Sequence, residues 1–436
     1  MTTAAVLAGA CASAGPAGPG ATRAGGTPTA TLEALHETVR VEGLEDRRFQ
    51  PEHYWRVVEP VVRRGGHLSM ERVGQSAEGR PLREITYGEG PTTVLLWSQM
   101  HGDESTASMT LADVFAFLAD RPDHPLARLF RERLTLHFVP LLNPDGAARF
   151  QRRNAQGVDV NRDARMLATP EGRTLKAVRD RVEPDFGFNL HDQNVRTRVG
   201  DSGRGAAIAL LAPAFNEARD VNALRERAMR VASVIVEAID PLVGEHIARY
   251  DDTFNPRAFG DLMAAWGAST ILIESGGWRD DPQKQYLRKT NFVAILAALE
   301  AIARESWTAV PTTAYETLPR NGRSVGDLLV TGGTLAVPSL PPLLADVMVQ
   351  YERPLLEEGG LIDEIGDLGG FQARDTVRVD GLYLVPLPEA LDAGPPGTQI
   401  RLGAPARFVV ARRPDGGEPV WTFDGGPVPA TARRPR

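Results

Sequence analysis

Four short segments of the 436-residue chain carry side chains that could work together on one small molecule. In Ser98-Gln99-Met100-His101-Gly102-Asp103-Glu104, His101 and Glu104 are three apart at an expected strand exit running into a helix. Residues i and i+3 share a face in a first helical turn, so an imidazole nitrogen and a carboxylate can meet one divalent ion. Zinc takes such ligands at about 2.0–2.2 Å. His191 closes the apolar run Phe188-Asn189-Leu190 and would supply a third ligand. Of the other histidines, His137 lies inside an expected strand at the wrong phase, and 36, 53, 67, 124 and 246 lie in polar stretches. Glu274 directly follows Thr270-Ile271-Leu272-Ile273 and precedes Ser275-Gly276-Gly277. A carboxylate there is costly unless paired or used. Burial would raise its pKa toward that of a general base working near neutrality. The fourth segment joins Asn143-Pro144-Asp145-Gly146 to the run from Arg152 and Arg153 through Asn161, Arg162 and Asp163. Guanidiniums bind carboxylates bidentately, so this cluster suits a substrate's terminal carboxylate or a developing oxyanion. Taken singly, each segment also fits a plain structural role: a solvated turn, a strand-end histidine, a glutamate leaving a sheet, a basic loop.

These side chains need a scaffold that brings distant strand ends together. Apolar runs at 93–97, 134–142, 186–190, 206–211 and 270–273 read as strands. Helical spacing covers 104–119, 172–183, 216–239 and 284–304. Strands alternating with helices predict an α/β fold: a mixed, mostly parallel sheet with helices on both faces. In such sheets ligands bind beyond the carboxyl ends of the strands, where the four segments lie. After about residue 308 Pro and Gly become dense. Short β-like runs follow at 324–330, 375–385 and 407–411, with no long amphipathic helix and no His or Cys. The expected organisation is a low-complexity segment over 1–30, an α/β catalytic domain over 31–307 and a smaller, mostly-β accessory domain over 308–436. Within the first segment, residues 4–14 read as the end of an export signal with small residues at a cleavage point but no basic n-region. On that reading the protein is exported, periplasmic or extracellular; otherwise it is cytoplasmic.

Composition closes several routes. A net charge of −7 argues against nucleic acid as the main partner. Lys176, Lys284 and Lys289 are the only lysines and none sits in a P-loop pattern. A single cysteine, Cys11, excludes an intrachain disulfide framework, a Cys-rich zinc site and an iron–sulfur cluster. No apolar run approaches the length of a membrane span.

The order His101-x-x-Glu104, Asn143-Pro144-Asp145-Gly146, the run from Arg152 to Arg162, strand–His191 and strand–Glu274-Ser275-Gly276 resembles the zinc carboxypeptidase family of the carboxypeptidase A type. The run Gly74-Gln75-Ser76-Ala77-Glu78-Gly79-Arg80-Pro81-Leu82 resembles that family's entry segment, and the likeness spans roughly residues 45–300. The resemblance implies that His101, Glu104 and His191 bind Zn²⁺, that Glu274 is the catalytic glutamate, and that Asn161 and Arg162 hold the substrate's terminal carboxylate. It places the carbonyl-polarising arginine at Arg152 or Arg153, with spacing favouring Arg152. Tyr250 is the one tyrosine in the window for the family's mobile tyrosine. The chain departs from the pattern at Asp163 and Ala164, where the family has asparagine and an aromatic, and around 251–255. These positions bear on the substrate's side-chain pocket and not on the metal ligands.

The expected activity is a zinc-dependent metallocarboxypeptidase acting on a peptide or small amide with a free carboxylate. Relatives that cleave cell-wall murein peptides or N-acyl amino acids make those substrates an alternative. A catalytically inert zinc-containing binding protein is a further one.

Overall fold

The computed structural model describes residues 26–394, 397–429 and 432. The export-signal reading falls on residues outside these. Among the described residues, nine strands and nine α-helices precede residue 304: α1 (Thr29–Val39), α2 (Pro51–Arg64), β1 (Leu68–Gln75), β2 (Pro81–Tyr87), β3 (Thr92–Ser98), α3 (Thr106–Asp120), α4 (Pro125–Arg133), β4 (Leu134–Val139), α5 (Pro144–Arg149), α6 (Pro170–Val182), β5 (Phe186–Asp192), β6 (Thr197–Val199), β7 (Ile208–Leu211), α7 (Ala223–Val243), β8 (Ile247–Arg249), α8 (Phe259–Ala265), β9 (Ser269–Ser275) and α9 (Gln285–Ala303).

All of these strands except β6 form one sheet in the order β1-β2-β4-β3-β5-β9-β7-β8. The central four, β4, β3, β5 and β9, run parallel. β1 and β2 add antiparallel at one edge, and the parallel pair β7–β8 joins β9 antiparallel at the other. The expected mixed, mostly parallel sheet is therefore present.

Strand side chains alternate between faces, and the two faces here have different covers. Val94, Leu96, Phe186, Phe188, Leu190, Ile271 and Ile273 point into the larger core, shared with α1–α4, α7 and α9. Leu95, Trp97 and Val139 point the other way, into a smaller core with Val160, Leu175, Val178, Phe259 and Met263. On β5 and β9 this second face carries Asn189, His191, Leu272 and Glu274. The alternation that buries the phenylalanines and isoleucines thus delivers the two chemical side chains to one face.

Boundaries shift where capping decides them. The helix expected over 216–239 begins at Ala223, because Asn222 Oδ1 accepts the Arg225 amide at 2.9 Å, and it runs on to Val243. The run 375–385 is two strands, Ala373–Arg378 and Tyr383–Pro386, separated by a turn with Gly381 at φ 74°.

Beyond α9 the chain stays against the first core for some residues more. Trp307, Tyr315 and Leu318 still belong to the first core, and Tyr315 Oη accepts the Ala212 amide at 3.1 Å. The following strands, among them β10 (Asn321–Ser324) and β11 (Gly326–Thr331), are short. A four-stranded and a five-stranded sheet share a separate core of Leu328, Val330, Val349, Ile362, Val377, Leu384, Phe408, Val410 and Phe423. β10 pairs with β6, which stitches this region to the loop after β5.

Candidate active site

The site lies at the carboxyl ends of β3, β5 and β9. β3 ends at Ser98, and the turn that follows holds Gln99 at φ 52° and presents His101 before α3 begins. This turn packs so tightly on α5 that a side chain at Gly102 would lie 2.0 Å from the Gly146 carbonyl carbon. The NPDG run explains the close approach. Asn143 Oδ1 caps α5 through the Gly146 amide at 2.9 Å, and its Nδ2 donates to the Met100 carbonyl at 3.1 Å. Buried Asp145 accepts from Ser76 Oγ at 2.8 Å, the Glu78 amide at 3.0 Å and Arg80 at 2.8 Å. The entry segment and the NPDG run are therefore one structural clamp behind the site.

His101, Glu104 and His191 are all buried, and one ligand atom from each lies within 4.8 Å of the others. Glu104 sits between the imidazoles: Oε1 is 2.7 Å from His101 Nδ1, and Oε2 is 2.6 Å from His191 Nδ1. The outer ring nitrogens face second partners. His101 Nε2 lies 3.0 Å from Asp159 Oδ1, and His191 Nε2 lies 3.4 Å from Asn161 Nδ2. A ligating histidine commonly donates its far N–H to a carboxylate, which fixes the ring with its near nitrogen toward the metal. Two imidazole nitrogens and one carboxylate, with His101 held from behind by Asp159, fit zinc. Burial opposes ionisation of Glu104, but the two imidazoles outweigh it and lower its pKa. Burial also opposes the charged form of His101, yet Glu104 and Asp159 hold that imidazole up at about 9. His191 is lowered, chiefly by burial.

β5 and β9 pair in register, with His191 opposite Glu274. Glu274 is buried, and its Oε2 has no partner among the described residues. Burial first, then the nearby charge of Glu104, push its carboxyl well above the usual range. Tyr250 lines the same cavity, and the charge of Glu274, with burial, pushes its hydroxyl up to about 12.

The two candidate arginines separate. Arg152 Nη1 lies 3.1 Å from His101 Nδ1 and 3.3 Å from Glu104 Oε1, and its guanidinium pairs with Asp159 at 2.9 Å. Arg153 donates instead to the Gly157 carbonyl at 2.9 Å and does not line the cavity. Asn161 Oδ1 accepts the Phe259 amide at 2.9 Å, so the head of α8 positions it. Arg162 lines the cavity, and among the described residues no carboxylate lies within ion-pair distance of it. Asp163, where the chain departs from the family pattern, is turned into the protein. It accepts from the Ala168 amide at 2.8 Å, the Thr169 amide at 2.8 Å and Thr169 Oγ1 at 2.7 Å, bracing the start of α6.

The cavity has a volume of about 680 Å³. Its wall also includes residues to which sequence reasoning assigned no role: Asn189, Asp192, Gln193, Asp261 and Asn321. Asp159 stands inside the quoted arginine-rich run, two residues before Asn161, and only its contact with His101 reveals a task. Asp192 accepts from Thr106 Oγ1 at 2.8 Å and pairs with buried Lys284 at 2.9 Å and with Arg47 at 3.2 Å. Its amide donates to Glu104 Oε2 at 3.2 Å, so this ion cluster braces the end of β5, which carries His191.

The family model described as zinc carboxypeptidase matches residues 62–189. Over this stretch the chain is similar to the zinc carboxypeptidase family. The matched stretch takes in His101, Glu104, Arg152, Asn161 and Arg162 and stops two residues short of His191. Among curated proteins, an uncharacterized protein of Zymomonas mobilis is 31% identical over 128 residues, 28% of this chain and 33% of that one. Carboxypeptidase SOL1 of Arabidopsis thaliana is 34% identical over 98 residues, 21% and 20% of the two chains. Cytosolic carboxypeptidase 6 of Mus musculus is 31% identical over 101 residues, 21% and 18%. The chain thus spans a third or less of the length of these relatives. Among solved structures, a metallo-carboxypeptidase of Burkholderia cenocepacia is 18% identical with a TM-score of 0.47, over 59% of this chain and 70% of that one. Among the described residues no helix is long and apolar enough to cross a membrane.

Proposed function

We propose that this chain is a member of the zinc carboxypeptidase family and an active metallocarboxypeptidase, which removes the C-terminal residue of a peptide or peptide-like amide bearing a free carboxylate. The observation that carries this reading is the convergence of a two-imidazole, one-carboxylate cluster with a second, unpartnered buried carboxylate on the adjacent strand. His101, Glu104 and His191 would hold a zinc ion, which would supply Lewis acidity for lowering the pKa of water and polarising a carbonyl. Glu274 is the general base: burial has raised its proton affinity toward the value at which it can take a proton from the attacking water and return it to the leaving amine. Arg152 is the cation placed for the developing charge on the carbonyl oxygen. Arg162, with no carboxylate partner of its own, and the Asn161 amide hold the substrate's terminal carboxylate. Fixing that end removes part of the entropic barrier.

Residues 308–436 hold no His or Cys and so bring no imidazole or thiolate to this chemistry. We take export or retention in the cytoplasm to depend on residues 4–14. The test is a mixed peptide library incubated with the full chain, with and without chelator, and read by mass spectrometry. Loss of a single C-terminal residue that stops with chelator is the expected result. Cleavage elsewhere, or none with zinc present, overturns the reading.

A further inference from the structure

Lys284 is 1% exposed. A lysine is almost never fully buried unless it is paired. Its Nζ donates to the Ser275 carbonyl at 2.9 Å and pairs with Asp192 Oδ2 at 2.9 Å. Asp192 follows His191 at the end of β5, and Ser275 follows Glu274 at the end of β9. The register sets Asp192 opposite Ser275, one step beyond His191 and Glu274. The Ser275 carbonyl also accepts the Gln193 amide at 3.0 Å, so the lysine sits where the two strand ends meet. One ammonium group joins the strand that carries a candidate metal ligand to the strand that carries the candidate general base.

The backbone is bent to deliver that group. Lys284 stands at the head of α9 with φ 54° and ψ 31°, a left-handed conformation that a residue with a Cβ adopts only at a cost. Asp281 holds it there. Its carbonyl accepts the Lys284 amide at 3.1 Å, and its carboxylate accepts the amides of Gln285, Tyr286 and Leu287 at 2.6, 3.0 and 3.1 Å. α9 holds Ser275 a second time, through Asn291 Nδ2 to Ser275 Oγ at 2.8 Å.

Stability alone does not account for a charge in this place. Replacing a buried ion pair by apolar side chains is often neutral or stabilising. An apolar side chain cannot, however, fix a carbonyl and a carboxylate at set distances from each other. Glu274 needs such fixing. Its Oε2 has no partner among the described residues, so the course of β9, and no bond to that oxygen, aims the carboxylate.

Resting on the carboxypeptidase reading above, we infer that Lys284 is a positioning residue for the general base: by tying the Ser275 carbonyl to Asp192, it sets where the Glu274 carboxylate stands relative to His101, Glu104 and His191. Lys284 does not line the cavity and acts only through the two strand ends.

The test compares the full zinc-loaded parent with Lys284→Met, both well below their thermal midpoints. Misplacing a reacting group by about 1 Å can cost on the order of 10²-fold in rate. The variant is expected to keep the parent's zinc content and a KM within about twofold, while kcat falls about 10–100-fold. Its zinc-bound crystal structure is expected to show the Glu274 carboxylate displaced by about 0.5–1 Å, with the three ligands in place. An unchanged kcat per folded, zinc-loaded chain makes Lys284 a stability residue and overturns the inference. Loss of zinc, a rise in KM that accounts for the lost rate, or an unmoved Glu274 carboxylate overturns it too. Should Lys284→Met fail to fold, Asp192→Asn gives a background in which the lost ammonium leaves no carboxylate behind. Adding Lys284→Met to Asp192→Asn should again lower kcat about 10–100-fold against Asp192→Asn alone, and an equal kcat overturns the inference. The crystal structure is independent of activity. A displaced Glu274 in a protein whose parent hydrolyses no peptide upholds the positioning role and defeats the hydrolase reading; an active parent with an equally active variant does the reverse.

Discussion

Two carboxylates near one another do different work because their surroundings differ. Glu104 lies between two imidazoles that hold it toward its ionised form, the form a metal ligand would need. Glu274 has an oxygen with no partner and is pushed toward the protonated form. Glu274→Gln should therefore retain one zinc per chain by elemental analysis while hydrolysis falls by about 10²–10⁴-fold; unchanged turnover would remove Glu274 from the mechanism. The arginines give a second contrast. Arg152→Ala should cost about 10²–10³ in kcat, whereas Arg153→Ala, which loses a bond to a loop carbonyl, should leave kcat nearly unchanged. Asp261 offers a pH signature apart from the metal ligands. Burial pushes its carboxyl from 3.8 to about 6. The folded state then binds the extra proton between those values, so this contribution to stability is complete below about pH 4 and is lost as pH rises through about 6. Asp261→Asn should flatten the decline of stability over that window, where one proton is worth at most about 1.4 kcal/mol per pH unit. Parallel denaturation curves at pH 4 and pH 7 for the two proteins would exclude the assignment.

At the scale of elements, much of the supposed binding loop is scaffolding. Asp145 ties the turn between β1 and β2 to the head of α5, and Asp163 braces the start of α6. Asp163, at the departure from the family pattern, holds the start of a helix and does not line the cavity. Asp163→Ala should destabilise by about 2–3 kcal/mol through the loss of hydrogen bonds to a buried charge, with KM altered less than twofold. Chemical denaturation alongside steady-state kinetics checks both parts. A large rise in KM at unchanged stability would return Asp163 to the substrate pocket.

At the scale of the whole molecule, the C-terminal sheets carry their own core yet reach back to the cavity through the Arg196–Asp327 pair and the β6–β10 ladder. Asp327 also accepts the Tyr351 amide at 2.7 Å and pairs with Arg374 at 3.3 Å, so one buried carboxylate joins the two parts. Asp327→Ala removes the carboxylate these guanidiniums share and should lower stability by about 3–5 kcal/mol. The checks are the thermal midpoint and the rate of proteolysis in the 193–205 loop, and a variant as stable as the parent would make the junction incidental.

Local pattern was enough for the central strands, the helices between them and the order of the chemical residues. Each rests on neighbours in the chain: Val94 and Leu96 against Leu95 and Trp97, or the four residues of the β9 core just before Glu274. The edge hairpin β1–β2 is not legible in this way, because the exposed face of β1 breaks the alternation that marks a strand. Nor could the sequence exclude Arg153, although spacing favoured Arg152, give Asp159 and Asp192 their tasks, or join Asn321 to Gln193 across 128 positions. Those choices depend on contacts between residues far apart in the chain. Such contacts are decided by how sheets and loops close on one another, which no periodicity along the chain encodes.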